Sequence, residues 1–247
     1  MNITSRNLKL VIGATYLIAL FVVLYFVFSF IDVKNLTNYE FIRAYKESIF
    51  QYKNNNLFLL TILIFIFTII WILLLGFAGP ILLFAGFVYG KWFGILIVLS
   101  ATTIGATLLY ILAGLFFRDL IREKLEHRFS NLKSFFKKNE LFYFLMYRFV
   151  GGGGVPYGIQ NVLPVLFDIS VKNYFLGTLI GSAPLMFVSV ALGSGIERFI
   201  DKNEELSIFA IITSPDIYLP ILAFLIVIIL AFIFRKFIFK KTKYEKN

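Results

Sequence analysis

Apolar runs of membrane-crossing length alternate with short charged segments along this chain. Residues 10–31 are apolar without a charge and follow Arg6 and Lys9. That is about the ~20 residues needed to cross a ~30 Å hydrocarbon core, so they predict a first transmembrane helix. The run is too long for the ~7–15-residue apolar region of a signal peptide and lacks a small-x-small ending, which predicts an uncleaved anchor. Residues 32–56 mix Lys34, Arg43, Lys46 and Lys53 with Asp32, Glu40 and Glu47 around Leu36, Tyr39, Ile42 and Ile49, the pattern of an amphipathic surface helix.

From 57 to 117 the one charged side chain is Lys91, and the run is broken by Gly76, Gly79-Pro80, Gly86 and Gly90. Proline removes a backbone donor and clashes with the preceding turn, so Gly79-Pro80 predicts a helix break. Only half a span then precedes Gly90-Lys91. We read 57–90 as a re-entrant hairpin and 92–117 as a full crossing. Small residues four apart, Gly90 with Gly94 and Ala101 with Gly105, predict close helix packing.

Residues 118–139 carry seven basic and three acidic side chains, a balance of +4, with Leu120, Ile121, Leu125, Phe129, Leu132, Phe135 and Phe136 among them at helical spacing. This is a basic amphipathic segment suited to an anionic, cytoplasmic leaflet. A second half-length apolar run follows and breaks within 141–171, giving a second re-entrant hairpin. Residues 174–196 cross fully, with Gly177 and Gly181 four apart. The loop 197–216 has a balance of −3, and 217–234 makes the last crossing before the basic tail that holds Arg235, Lys236, Lys240 and Lys241. Positive segments stay inside, so both termini are expected in the cytoplasm.

The fold class that satisfies these charges is an all-α polytopic membrane protein with four transmembrane helices and two opposed re-entrant hairpins, an inverted-repeat, transporter-like plan. Three parts follow: 1–56, an anchor and surface segment; 57–196, the core; and 197–247, an outer loop, last span and basic tail.

Composition narrows the chemistry. Of 247 residues 60% are hydrophobic and 15% charged, against about 25% charged in soluble domains, so this is an integral membrane protein. The net charge of +10 is explained by cytoplasmic loops facing anionic lipid, and no nucleic-acid partner is expected. Absence of cysteine removes disulfides and thiol chemistry, and a single histidine, His127, gives no basis for a metal site; no cofactor is expected. Gly193-Ser194-Gly195 has the outline of a serine-hydrolase motif but no base to activate it, so no enzyme is expected.

One stretch concentrates the polar chemistry: Arg148-Phe149-Val150-Gly151-Gly152-Gly153-Gly154-Val155-Pro156-Tyr157-Gly158-Ile159-Gln160-Asn161. An arginine at the bilayer centre costs from about 2.5–3.5 kcal/mol on insertion scales to roughly 10–17 in simulations, so Arg148 needs a partner, a cavity or water. Irregular backbone at that depth survives where protein or a watery cavity satisfies its amides. Arg148, Gly152, Gly153, Pro156 and Asn161 are therefore the candidate substrate-binding residues. A guanidinium binds phosphate oxygens bidentately and stays charged, which points to membrane lipids with an anionic headgroup or phosphate. Asp168 is the candidate counter-ion. If it pairs with Arg148, the hairpin is a non-transporting scaffold or assembly factor instead. Gly79, Pro80, Gly90, Gly94, Gly105, Gly177 and Gly181 are the candidate break and packing positions.

Over 79–195 the chain resembles the VTT-domain superfamily, also called the DedA or SNARE-associated Golgi protein superfamily. The resemblance lies in Gly79-Pro80, Gly86-Phe87-Val88-Tyr89-Gly90-Lys91-Trp92-Phe93-Gly94, Gly105, Tyr147-Arg148, Pro156-Tyr157, Asn161 and Phe175-Leu176-Gly177-Thr178-Leu179-Ile180-Gly181-Ser182-Ala183-Pro184. It is nearer to the Golgi vesicle (Tvp-type) branch, widespread in bacteria, than to DedA proper. The resemblance implies four spans, two opposed re-entrant hairpins, a plasma (inner) membrane location and movement of phospholipid or polyprenyl phosphate between leaflets, as a flippase or scramblase. Two features depart from DedA: 57–90 has no acidic residue, and the second arginine expected six positions after Arg148 is Gly154.

Overall fold

A computed structural model describes residues 39–74, 77–119, 121–123, 136 and 139–201, with isolated positions near both ends of the chain. The expected spans 10–31 and 217–234, the loop 197–216 beyond Asp201, and most of 118–139 lie outside the described residues. Among those described every regular element is helical. In order they are α1 (Tyr39–Leu73), α2 (Gly79–Phe116), α3 (Glu140–Phe149), a 3-10 turn (Gly151–Gly154), α4 (Tyr157–Val162), a second 3-10 turn (Leu163–Phe167) and α5 (Val171–Asp201).

Three helical stretches are long and apolar enough to cross a membrane, Lys46–Leu73, Gly79–Phe116 and Val171–Arg198. Large apolar side chains cover the outside of α1, including Leu57, Phe58, Leu63, Ile66, Phe67 and Ile70. Such a surface is stable against lipid and unstable against water. The protein is an integral, multi-pass membrane protein.

The helices differ from their expected bounds in ways their residues explain. The surface segment and the run after residue 57 form one helix, α1, in which only Asn56 leaves helical geometry (φ −140°, ψ 42°). Gly79-Pro80 opens α2 instead of ending a helix. The first turn tolerates proline, whose missing N–H has no partner there in any case. The span expected at 92–117 is continuous with 79–89 through Gly90, whose φ of +75° glycine alone adopts readily. The chain folds back there. A Cβ on Gly94 would lie 2.8 Å from the Ala85 carbonyl oxygen, and both Gly86 and Gly94 face Val190 of α5. Lys53 of α1 donates to the carbonyl of Val88 at 2.6 Å, beside the fold-back.

Backbone-to-backbone approach at glycines sets how the helices dock. A Cβ on Gly86 would stand 1.9 Å from the Val190 carbonyl oxygen, and one on Gly193 2.0 Å from that of Leu83. Gly105 lets α1 approach, with the Ile69 carbonyl oxygen 3.0 Å from its would-be Cβ. Two threonine hydroxyls of α2 bond back to their own helix: Thr102 donates to Val98 O at 2.6 Å and Thr107 to Thr103 O at 2.7 Å. Its small residues therefore serve packing.

Polar clusters mark the two ends of α5, which is about 42 Å long over Val171–Arg198 at ~1.5 Å per residue. Near Glu197 the buried Lys46 donates to its backbone carbonyl and forms an ion pair with its carboxylate at 3.5 Å. At the other end the Ser170 amide donates to the Glu140 carboxylate, so the segment from α3 to the second 3-10 turn begins and ends together.

Candidate functional site

The α3 helix is built to present Arg148. Asn139 caps its start, its side chain accepting from the Phe142 amide at 3.1 Å, and Glu140 sits in the first turn. Arg148 occupies the last turn, where the negative end of the helix dipole favours a cation. Beyond it the chain turns through Gly151 (φ +66°) and Gly152 (φ +68°), conformations that side-chain-bearing residues avoid.

Gln160 holds this turn. Its Nε2 donates to the carbonyl oxygens of Gly151, at 2.8 Å, and Val155. Its side chain also fills the space a Cβ on Gly152 would take, with Cδ at 2.3 Å. Gly152→Ala is therefore expected to eject Gln160 and to reduce function at least tenfold, while Gly79→Ala, whose Cβ would meet only Phe77 at 3.9 Å, leaves it unchanged. Equal activity of the two variants in a transport assay would show that the turn has no special role.

Arg148 is 2% exposed and packs among aromatic rings. Its guanidinium carbon lies 5.2 Å from the ring centre of Phe144 and 5.3 Å from that of Tyr174, within cation–π range. Nη2 donates to the Tyr174 hydroxyl at 2.6 Å, and that hydroxyl donates in turn to the backbone carbonyl of Asn161 at 2.9 Å. Tyr174 thus ties α3, α4 and α5 at one oxygen. It is held by stacking on Tyr110 (4.2 Å between centroids) and Phe144 (4.9 Å). The α5 glycines make this possible, because a Cβ on Gly177 would meet the Phe144 ring at 2.5 Å and one on Gly181 would meet Arg148 Cβ at 2.8 Å.

Around this hub, hydrogen-bonding capacity is left over. Nε and Nη1 of Arg148, both side-chain polar atoms of Asn161, and the hydroxyls of Tyr147, Tyr157 and Thr178 are buried without a partner. Nε and Nη1 alone amount to three N–H donors. Buried polar groups in proteins are nearly always paired, which makes this cluster the candidate binding site.

The Arg148–Asp168 pair of the scaffold alternative does not form. Asp168 sits in the left-handed region (φ 53°) after the second 3-10 turn and is bonded instead to Arg118 (3.0 Å) and Arg122 (2.8 Å). Of the other expected residues, Asn161 joins the cluster, and Gly152 and Gly153 lie in the adjoining 3-10 turn. Pro156 is exposed; it caps α4, and its carbonyl accepts from the Gln160 amide at 2.9 Å. Gly94, Gly105, Gly177 and Gly181 are close-packing positions, whereas Gly90 has nothing within 4 Å and Gly79 only an ordinary contact. Sequence reasoning missed Tyr174, Phe144 and Gln160 as site residues. The available signal was spacing: Tyr174, Gly177, Thr178 and Gly181 share one helical face, as do Phe144, Tyr147 and Arg148.

Comparison with known proteins gives a family match and several relatives. Residues 77–195 match the family described as the VTT domain. The chain is 26% identical over 183 residues to a Transmembrane protein 41 homolog of Dictyostelium discoideum, covering 71% of this chain and 53% of the relative. It is 24% identical over 204 residues to a Transmembrane protein 41 homolog of Caenorhabditis elegans, covering 77% of this chain and 80% of the relative. The chain thus spans about half the length of the first relative and most of the second. No solved structure matches.

Proposed function

Because the chain carries a VTT domain in residues 77–195 and so belongs to the superfamily of that name, we propose that it moves phospholipid or polyprenyl-phosphate lipids between leaflets, with Arg148 receiving the phosphate. The observation that carries this reading is a buried arginine that pairs with no carboxylate among the described residues and keeps Nε and Nη1 unpartnered beside a glycine turn. Phosphate oxygens are acceptors in a geometry that a guanidinium matches. Asn161 and the Tyr147 and Tyr157 hydroxyls supply further capacity for the same group.

On this reading residues 57–90 and 141–171 are two re-entrant hairpins, entering from opposite faces between four crossings, in a bacterial plasma membrane with both termini cytoplasmic. Support comes from the polar clusters at the two ends of α5. The lipid is the partner, no cofactor takes part and no bond is made or broken. Reconstitution into liposomes with labelled phospholipids and a polyprenyl phosphate tests it: faster leaflet exchange of at least one is expected, and no acceleration of any would leave a packing scaffold. The topology has its own test. Single cysteines placed in this cysteine-free chain at Asn131 and Asn203 are expected to label from opposite sides of the membrane, given the +4 of 118–139 and the −3 of 197–216. Labelling of both from one side would remove the four-crossing plan.

A further inference from the structure

Arg118 and Arg122, one helical turn apart, both address Asp168. Arg118 Nη2 reaches Oδ1 at 3.0 Å, and Arg122 Nη2 reaches Oδ1 at 3.1 Å and Oδ2 at 2.8 Å. The three side chains are between a third and a half exposed, so a headgroup can reach them. The carboxylate does not saturate the arginines, because Arg122 Nε is buried and has no partner. Asp168 holds a left-handed backbone, a conformation uncommon outside glycine and mainly tolerated by Asn and Asp. The nearby Glu140 is already engaged by the Ser170 amide. Phe136 stacks on Phe167, the residue before Asp168, at 4.3 Å between ring centres.

A two-arginine cradle with one donor to spare and a lone internal carboxylate in it is chemically a phosphate site occupied by a substitute. We propose that Arg118 and Arg122 form a second phosphate-binding site, where a lipid phosphate from the adjoining leaflet displaces Asp168. Phosphate offers more acceptor oxygens than a carboxylate and can bridge both guanidinium groups. Displacement would free the end of the segment that carries Asn161, seven residues upstream. The site therefore acts as an entry point to the Arg148 site, and this role rests on the transport reading above.

Binding to the purified full-length chain in detergent tests this, with phosphatidylglycerol, phosphatidylcholine and inorganic phosphate as separate probes, read by native mass spectrometry. Asp168→Asn removes the competing charge and keeps a residue that accepts the left-handed backbone. It is expected to raise phosphatidylglycerol affinity roughly three- to tenfold, the scale of two half-exposed ion pairs. The gain should persist with Arg148→Ala and vanish with Arg118→Gln/Arg122→Gln. No gain from Asp168→Asn, or a gain that survives loss of both arginines, would overturn the proposal. A gain abolished by Arg148→Ala would assign the bound lipid to the first site and also overturn it, leaving the transport reading intact. If inorganic phosphate shows the gain and phosphatidylglycerol does not, the cradle binds free phosphate and the entry role fails. If the gain survives Arg148→Ala but liposomes show no leaflet exchange, the second site stands and the transport reading falls.

Discussion

Arg148→Ala is expected to bring leaflet exchange down to the rate of protein-free liposomes, with membrane abundance close to that of the unaltered chain. The second half of this expectation depends on the geometry. Removing one member of a buried ion pair strands the other and costs about 3–5 kcal/mol. Arg148 has no such pair; its Nη2 bonds to a neutral hydroxyl that keeps its own donation to the Asn161 carbonyl. Losing the guanidinium therefore strands no charge and opens a space beside the stacked Phe144 and Tyr174 rings. Arg148→Lys should separate charge from shape. An ammonium keeps the charge but cannot present Nε and Nη1 as a planar array while reaching Tyr174. One lost charge-assisted hydrogen bond is worth about 1.5–3 kcal/mol, so exchange should fall roughly ten- to a hundredfold. Low abundance of Arg148→Ala, restored by adding Asp168→Asn, would show that the arginine serves assembly and would sink the phosphate reading.

The second large effect is expected where helices touch through their backbones. Gly86→Ala or Gly193→Ala would bring a Cβ to 1.9 Å or 2.0 Å from a carbonyl oxygen, well inside van der Waals contact, so α2 and α5 must separate. Overpacking of this kind costs about 1–3 kcal/mol and occasionally more, and with the whole contact held by main chain the upper end applies. For a chain of this length that lowers Tm by roughly 5 °C or more. Gly114→Ala is the control, with nothing within 4 Å of its would-be Cβ and a gain of up to ~1 kcal/mol in helix propensity. Thermal unfolding in detergent measures all three. Wild-type melting of Gly86→Ala would mean that the helices do not meet at this crossing.

Much of the site was legible because membrane burial makes polarity conspicuous. An arginine and four glycines in an apolar run announce a break and a buried charge, and both are found at Arg148 and Gly151–Gly154. The partners of that charge were not legible. Tyr174 at the head of a long apolar helix looks like an interfacial aromatic, and its hydroxyl becomes a hub only once Gly177 and Gly181 bring α3 within reach. Whether Asp168 meets Arg148, the alternative that separates a scaffold from a phosphate receptor, was open in the sequence; its position after the second 3-10 turn faces Arg118 and Arg122, about fifty residues upstream. Gly86 reads in the sequence as a helix interruption and Gly193 as part of a hydrolase-like outline, neither as a packing position. A glycine in a helix carries no mark of which backbone it touches.

The identity of the atoms at these glycines also decides which second changes can rescue a damaged chain. At Gly177 the obstructing atoms are the Phe144 ring, so a smaller residue at 144 can make room for an added methyl group. At Gly86 and Gly193 the obstructing atoms are the carbonyls of Val190 and Leu83, which every residue possesses. No exchange at position 190 or 83 can shorten a main-chain carbonyl. Suppression at the contacting partner is therefore open to Gly177 and closed to Gly86 and Gly193, as it is to Gly181, whose would-be Cβ meets the Leu145 carbonyl oxygen at 2.7 Å.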